Sequence, residues 1–298
     1  MYIKICKTAL ALFFFLAHAG ISHANILDAA DAINLAHFSQ RDRGFIRPSH
    51  VADRPDKDKF FKIDQGFSYA RLLDQRMSNL HYKGPGGMIS FGRYVEASNY
   101  VSELSFARIA FHMAQPQHNG TEVNNPSLGL RYKHMRKMPG RTAWRYRLGA
   151  QAEAFANVRL APSLSNSFLY VDFISELSPA IDIGYSLVLF ERNWNLDFSF
   201  ALSLFGYALR IPEYGASYQL GTDGSETLAN NVNMLLHPGN YNHFVTGIFY
   251  KDSFGRPENP NRFRIGYVWD FNTIRGAHDL KTFTAAHQLV LELFFLVN

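Results

Sequence analysis

The chain has 298 residues, of which 15% are aromatic and 18% charged, and its formal net charge is +5 at pH 7. This length suffices for one large β domain or for two ordinary domains. The excess of positive charge is modest, so the composition gives no reason to expect nucleic-acid binding. The only cysteine is Cys6, so a disulfide framework is excluded and another extensive network must hold the fold.

The N-terminus has the features of a secretory signal peptide. Lys4 and Lys7 give it a positive start, an apolar stretch rich in phenylalanine follows, and small residues end at Ala24. This pattern predicts a signal peptide over residues 1–24 that is cleaved after Ala24. Because Cys6 lies within that segment, the mature chain is expected to have no thiol.

The next segment, residues 25–62, is predicted to be a lead-in to the main domain. Its first part, residues 25–38, repeats apolar side chains near a helical period, which predicts a short amphipathic helix. A charged stretch with prolines follows. Two positions remain open for this lead-in: on the periplasmic surface, or as a plug inside a lumen.

From about Gly66 onward the apolar period becomes two, which is the period of a pleated strand. In the last segment, for example, Leu289 and Leu291 alternate with Gln288 and Glu292. Eleven candidate strands follow this pattern, at residues 66–74, 88–97, 99–113, 127–136, 143–156, 166–176, 180–191, 196–207, 242–251, 261–273 and 282–298. Because bacterial barrels have even strand numbers, we prefer twelve strands, with ten as the alternative.

Strand length and aromatic residues favour a membrane barrel over a soluble β-sandwich, which also alternates. Many candidates exceed the usual strand of about 5 or 6 residues and match tilted membrane strands. Aromatic side chains suited to interfacial girdles recur near segment ends, at Tyr100, Trp144, Trp194, Tyr207, Tyr250 and Trp269. The sequence therefore predicts an all-β protein, with a transmembrane antiparallel barrel over residues 63–298. A phase slip near Ala107 and Arg108 predicts a β-bulge.

If the apolar faces contact lipid, the opposite faces line the lumen with charges of both signs. The candidate lumen residues are Arg131, Lys133, Arg145, Arg147, Glu153, Asp172, Asp182, Asp197, Arg264, Asp270 and Glu292. An ion-selective pore would show an excess of one sign. A nearly balanced set is instead expected to pair across the lumen and fill it.

Several segments resemble a group of Gram-negative outer-membrane barrel proteins that have no assigned activity. The similarity is carried by residues 144–166, 206–218, 242–250 and 261–270, the last of which reads NRFRIGYVWD, and by the closing strand. This resemblance implies a location in the outer membrane. It supplies no catalytic residue.

Two functions remain open from the sequence. The first is a narrow channel or a structural, partner-binding barrel, with the long connection over residues 211–241 as a candidate surface for a small solute or an external partner. The second is a lipid-modifying enzyme with a serine nucleophile and a histidine base, for which His112 and Ser105 are the residues considered. No catalytic set, metal site or cofactor is predicted. The expected partners are outer-membrane lipid and the barrel-insertion machinery, and nucleic acid is not among them.

Overall fold

The structure is a computed structural model that describes residues 57–116, 122–139, 143–162, 169–189, 192–210, 232–236, 239–256, 259–275 and 280–297. The signal peptide and the amphipathic helix expected in the lead-in lie outside these ranges and stay predictions. Within the described ranges, no helix is long and apolar enough to cross a membrane.

Twelve strands make up one antiparallel sheet. They are β1 (Lys57–Asp74), β2 (Tyr82–Ala97), β3 (Tyr100–Pro116), β4 (Val123–Met138), β5 (Trp144–Leu160), β6 (Leu169–Leu189), β7 (Arg192–Leu202), β8 (Phe205–Arg210), β9 (Val232–Leu236), β10 (Tyr241–Arg256), β11 (Asn259–Arg275) and β12 (Lys281–Val297). Strands β1 to β7 pair in chain order, β7 pairs with β10, and β12 returns to β1. Ten strands thus close a ring, and β8 and β9 lie outside it. The predicted antiparallel barrel is confirmed, with ten strands in the closed ring and twelve strands in total.

The two ends of the barrel differ in their connections. At the end where β1 begins and β12 finishes, which we call the terminal end, strands are joined by residues 98–99, 139–143, 190–191 and 257–258. At the opposite end, the loop end, the connections are residues 75–81, 117–122, 161–168, 211–231 and 276–280. Shorter turns at one end and longer loops at the other are the plan of bacterial outer-membrane barrels.

The two faces of the sheet have opposite chemistry, as the alternation of the sequence predicts. On β12, Leu289 is 65% exposed on the outer surface, whereas the neighbouring Gln288 is 6% exposed and turned inward. The same holds for Ile248 and Ile265, which are more than half exposed. An outer surface of exposed large apolar side chains around a polar interior is what hydrocarbon solvation requires.

Aromatic pairs flank this apolar surface near the terminal end. The rings of Trp144 and Tyr185 lie 4.5 Å apart, and those of Trp194 and Tyr250 lie 5.0 Å apart. Such a band suits the boundary between hydrocarbon and headgroups.

The predicted strand bounds needed two corrections, and both involve Pro179. The candidate strands at residues 166–176 and 180–191 are one strand, β6, because its ladder with β5 runs through Pro179 opposite Ala150. Proline has no N–H for the ladder on its other side. There the neighbouring strand breaks between β7 and β8, and Leu204 donates its N–H to Leu177 instead. The candidate strand at residues 196–207 is therefore two strands.

One further strand, β9, was missed within the connection predicted over residues 211–241, and it pairs with β8. By contrast, the predicted bulge is present. The register between β3 and β4 shifts between Ser105 and Arg108.

Candidate functional site in the barrel lumen

The middle of the lumen is organised around Lys62 of β1, a buried cation with three carboxylates around it. Its Nζ lies 2.6 Å from Glu103, 3.1 Å from Asp64 and 3.4 Å from Glu292. Arg264 of β11 donates two hydrogen bonds to Glu292, one of them 2.9 Å long. Each of these residues occupies an inward position of its strand, so the pleat directs all of these charges to the lumen side of the sheet.

A second group of charges links opposite walls. Arg108 of β3 lies 2.6 Å from Glu153 of β5 and 3.4 Å from Asp270 of β11. Arg131 adds a 2.9 Å hydrogen bond to Glu153. On the wall nearby, Lys133 contacts Asp182 at 2.7 Å. The side chain of Arg108 therefore crosses the lumen instead of lining an open path.

His243 of β10 continues this group toward the loop end. Its Nδ1 lies 2.8 Å from Glu176 and its Nε2 lies 3.1 Å from Asp270. Each ring nitrogen therefore faces a carboxylate, an arrangement that a cationic imidazole satisfies with both N–H groups. The hydroxyl of Tyr241 also donates to Glu176. The polar side chains of His243, Glu176 and Tyr241 therefore form hydrogen bonds with one another or with Asp270.

The loop end is closed by three arginines and two aspartates. Asp172 of β6 accepts from Arg76 at 3.0 Å, from Arg159 at 2.6 Å and from Arg210 at 3.2 Å. Asp74 of β1 accepts from Arg76 at 2.7 Å and from Arg159 at 3.0 Å. Burial tends to lower the pKa of Arg76, which lies in the turn after β1, but the two carboxylates outweigh it and hold that pKa above its usual value. This cluster ties the β1–β2 turn to the opposite wall.

The terminal end is closed over one half by aromatic side chains. Phe60, Tyr94 and Phe294 are buried and meet edge to face, with ring centroids 5.0 to 6.5 Å apart. Val101 and Met135 belong to the same cluster, together with Ala180 of β6 and Ala201 of β7. We call Phe60, Tyr94, Val101, Met135 and Phe294 the aromatic seal. It covers β12 and the first four strands, whereas charged residues occupy the remaining half.

Among the described residues, two cavities of about 80 Å³ and 90 Å³ lie between the closed ends, and Arg108 lines both. Eight of the 20 residues that line the first cavity are charged. Seven of the 19 that line the second have amide or hydroxyl side chains, among them Asn125, Asn157, Thr282 and Thr284. Each has room for a few water molecules and none for a drug-sized ligand.

One serine and one histidine form a pair beside the second cavity. Ser68 Oγ of β1 lies 2.9 Å from Nε2 of His112 of β3. The strand between them contributes Gly86, the register partner of both. A Cβ at Gly86 would lie 2.4 Å from the imidazole of His112, so only glycine lets the ring cross β2 to reach the serine. The expected partner Ser105 is instead buried on β3 toward the middle of the barrel.

All eleven residues selected from the sequence point into the lumen and take part in ion pairs there. Besides the pairs above, Arg145 lies 3.4 Å from Asp197, and Arg147 lies 4.0 Å from Asp182. Within the described ranges, no group of three or more His, Cys, Asp or Glu side chains is placed to hold a metal ion.

Sequence reasoning missed about as many participants as it found. The missed residues include Lys62, Asp64, Asp74, Arg76, Glu96, Glu103, Arg108, Lys137, Arg159, Arg210, Tyr241 and His243. Lys62 and Asp64 precede the predicted start of the first strand, although their even spacing continues its inward phase. Arg76 lies in a turn, where the alternation of a strand cannot predict which way a side chain points.

The closed ring, its apolar exterior and its polar interior define a transmembrane β-barrel on the outer-membrane plan. No protein-family model and no curated protein matches the sequence. Solved structures similar to it include the outer-membrane protease OmpT of Escherichia coli, at 9% identity and a TM-score of 0.41 over 83% of this chain and 99% of that one. The translocator domain of the autotransporter NalP of Neisseria meningitidis is 6% identical, with a TM-score of 0.36 over 78% and 88% of the two chains. At these values no activity is transferred to this protein.

Proposed function

We propose that the protein is an outer-membrane barrel whose lumen is permanently closed and whose contacts with partners are made at its two ends. One observation carries this proposal: ion pairs from different walls fill the lumen at successive levels. Arg76 bridges to Asp172 near the loop end, Arg108 bridges to Asp270 further in, and Lys62 holds its three carboxylates in the middle.

The energetics favour a lumen that stays closed. Separating a buried ion pair leaves two uncompensated charges, which costs several kcal/mol, roughly 3 to 5 when one partner is removed outright. Conduction needs a continuous path on which ions bind weakly enough to leave. The cavities on either side of Arg108 give no such path. A structural or partner-binding barrel therefore fits the geometry better than a narrow channel.

The proposal includes a cellular location and a set of partners. Export with cleavage after Ala24, insertion by the barrel-insertion machinery and contact with outer-membrane lipid follow from the expected signal and the apolar exterior. An external partner or solute would meet the loop end, where residues 211–231 form the longest connection.

Conductance tests the closed lumen. The purified barrel is inserted into planar lipid bilayers next to a general porin that shows that insertion and detection work. We expect no stable current steps from this protein at voltages where the porin conducts. Reproducible ohmic steps that scale with protein concentration would overturn the closed-lumen proposal and favour the channel.

The second candidate is an acyl hydrolase, and the Ser68–His112 contact is the observation that favours it. A serine whose hydroxyl meets an imidazole nitrogen is the arrangement that activates an alcohol for attack on an ester. Asn125, the register partner of His112, adds a buried amide oxygen to which no side chain or backbone group of the described residues donates a hydrogen bond. In this reading the cavity would hold a small acyl group.

The hydrolase is tested on the refolded barrel with phospholipid vesicles and with a short acetyl ester. If it is correct, fatty acid or acetate is released, and both Ser68→Ala and His112→Ala abolish the release while Ser105→Ala does not. Absence of release, or equal release from all three variants, rejects it.

A further inference from the structure

The half of the terminal end that the aromatic seal leaves open is lined by cations. Arg147 of β5, Lys251 of β10, and Arg262 and Arg264 of β11 surround a small cavity of about 10 Å³, and Asp197 is the one carboxylate among the described residues that line it. Tyr94 and Phe294 of the aromatic seal form its remaining wall. We call this cavity the Lys251 pocket.

Two of these cations face each other directly. Lys251 is the register partner of Arg264 across the β10–β11 ladder, and both side chains point into the lumen. Like charges directly opposite each other on one face of an antiparallel pair are destabilising. On its other side Lys251 is opposite the uncharged Asn195. The register therefore gives Lys251 a repulsive neighbour and no attractive one.

Lys251 also lacks the counterion that its neighbours have. Arg262 is hydrogen bonded to Glu96, and Arg264 to Glu292. Across the described part of the chain, no carboxylate oxygen lies within the 4.0 Å of an ion pair from Lys251 Nζ. Among the described cations that line the Lys251 pocket, Lys251 is the one without an ion pair, since Glu96 and Asp197 attract it only from beyond that distance.

An unpaired ammonium that is partly withdrawn from water is costly, and a bound counterion removes most of that cost. Rings of arginine and lysine are the usual lining of anion sites in membrane pores. A volume of about 10 Å³ is room for one water-sized particle. A monatomic anion suits this volume better than a larger tetrahedral oxyanion does.

We propose that the Lys251 pocket is a binding site for one chloride-sized anion, reached from the terminal end. The anion would complete the charge pairing of that end, with Lys251, Arg147 and Arg262 as its ligands. The site goes beyond the closed-lumen proposal and does not depend on it, because an anion entering from the terminal end need not cross the barrel.

The test measures the thermal unfolding midpoint of the barrel in detergent micelles at constant ionic strength, while sodium gluconate is replaced stepwise by sodium chloride. We expect a saturable rise of ~2 to 4 °C. The rise should be lost in Lys251→Met. It should be retained in Lys137→Met, the matched control, since Lys137 sits at the same end but is paired with Glu96 at 2.9 Å.

A direct measurement covers the case in which Lys251→Met fails to fold. Crystals of the unaltered protein grown with sodium bromide should show one anomalous peak between Lys251 and Arg147. No peak there, a midpoint that does not respond to chloride, or equal loss of the response in both lysine variants would overturn the proposal. A larger rise with sodium sulfate than with chloride would overturn the assignment of ligand size.

Discussion

Arg108 and Asp270 contact each other across the lumen at 3.4 Å, although three strands, β2, β1 and β12, separate them along the sheet. The contact exists only because the sheet closes on itself. Both residues have a second partner, Glu153 for Arg108 and His243 for Asp270. The pair is therefore one link in a network, and the loss of a single link has a smaller effect than the loss of a hub.

The first prediction concerns the hub of the loop-end cluster. Asp172→Asn should lower the free energy of unfolding by roughly 3 to 5 kcal/mol, because Arg76, Arg159 and Arg210 would then share the single carboxylate of Asp74. Asp270→Asn should cost less, about 1.5 to 3 kcal/mol, the usual range for a hydrogen bond to a charged group. Urea titration in lipid vesicles measures both variants.

The effects of Asp172→Asn and Asp270→Asn are compared with those of a control variant. Asp252→Asn alters an exposed carboxylate that accepts a hydrogen bond from Tyr250, and it should change the unfolding free energy by less than about 1 kcal/mol. If Asp172→Asn were no more harmful than Asp252→Asn, the loop-end cluster would not hold the barrel closed.

Much of the fold could be predicted because the two faces of the sheet meet different environments. Hydrocarbon outside and charged side chains inside require apolar and polar residues to alternate on every strand. Leu289 beside Gln288 is one example of this alternation in the sequence. The bulge after Ser105 was predictable for the same reason, since a phase slip has to be absorbed somewhere. The end of a strand at a proline was the natural expectation at Pro179, and it was wrong because β5 pairs with the side of β6 that needs no proline N–H.

The site was less predictable than the fold. Alternation shows that Arg147 and Asp182 face inward, but it does not show which carboxylate each cation meets, because partners such as Arg108 and Asp270 are set by closure and stagger of the ring. The Ser68–His112 contact depends on Gly86 of the intervening strand, a residue without a side chain to signal its role. Arg76 lies in a turn, outside the alternating pattern of any strand, so the sequence does not indicate its direction.

The second prediction uses two adjacent glycines of β2. At Gly86 an added Cβ would lie 2.3 Å from the carbonyl oxygen of Phe111 and 2.4 Å from the ring of His112, whereas at Gly87 the nearest atom is 3.3 Å away. Gly86→Ala should therefore cost about 1 to 3 kcal/mol and separate His112 from Ser68. Gly87→Ala should cost less, because a shift of a few tenths of an ångström in the carbonyl of Gly66 accommodates the added methyl group. Urea unfolding together with the imidazole NMR signals of His112 distinguishes this from a general loss of stability, and equal effects of the two alanines would contradict the packing described.

The third prediction tests the aromatic seal with two neighbouring phenylalanines. Phe294 points inward and is 5% exposed, while Phe295 occupies the outer face and meets Phe254 edge to face at 6.3 Å. Phe294→Ala removes a side chain that contacts both Phe60 and Tyr94, so it should cost roughly 3 to 5 kcal/mol. Phe295→Ala leaves its space to lipid and should cost less than half as much. Urea titration in vesicles measures both, and the reverse order would mean that the seal does not stabilise the terminal end.

The fourth prediction tests the contact between the outer face and hydrocarbon. Leu291 lies in the middle part of β12 on the same outer face as Leu289. Leu291→Arg places a guanidinium in lipid and should cost roughly 2 to 4 kcal/mol, with a lower yield of inserted protein. Leu291→Met keeps the apolar volume and serves as the control, since it should insert like the unaltered chain. Band-shift electrophoresis after refolding into vesicles reports insertion, and urea titration reports stability. Normal insertion and stability of the arginine variant would mean that this face meets something other than hydrocarbon.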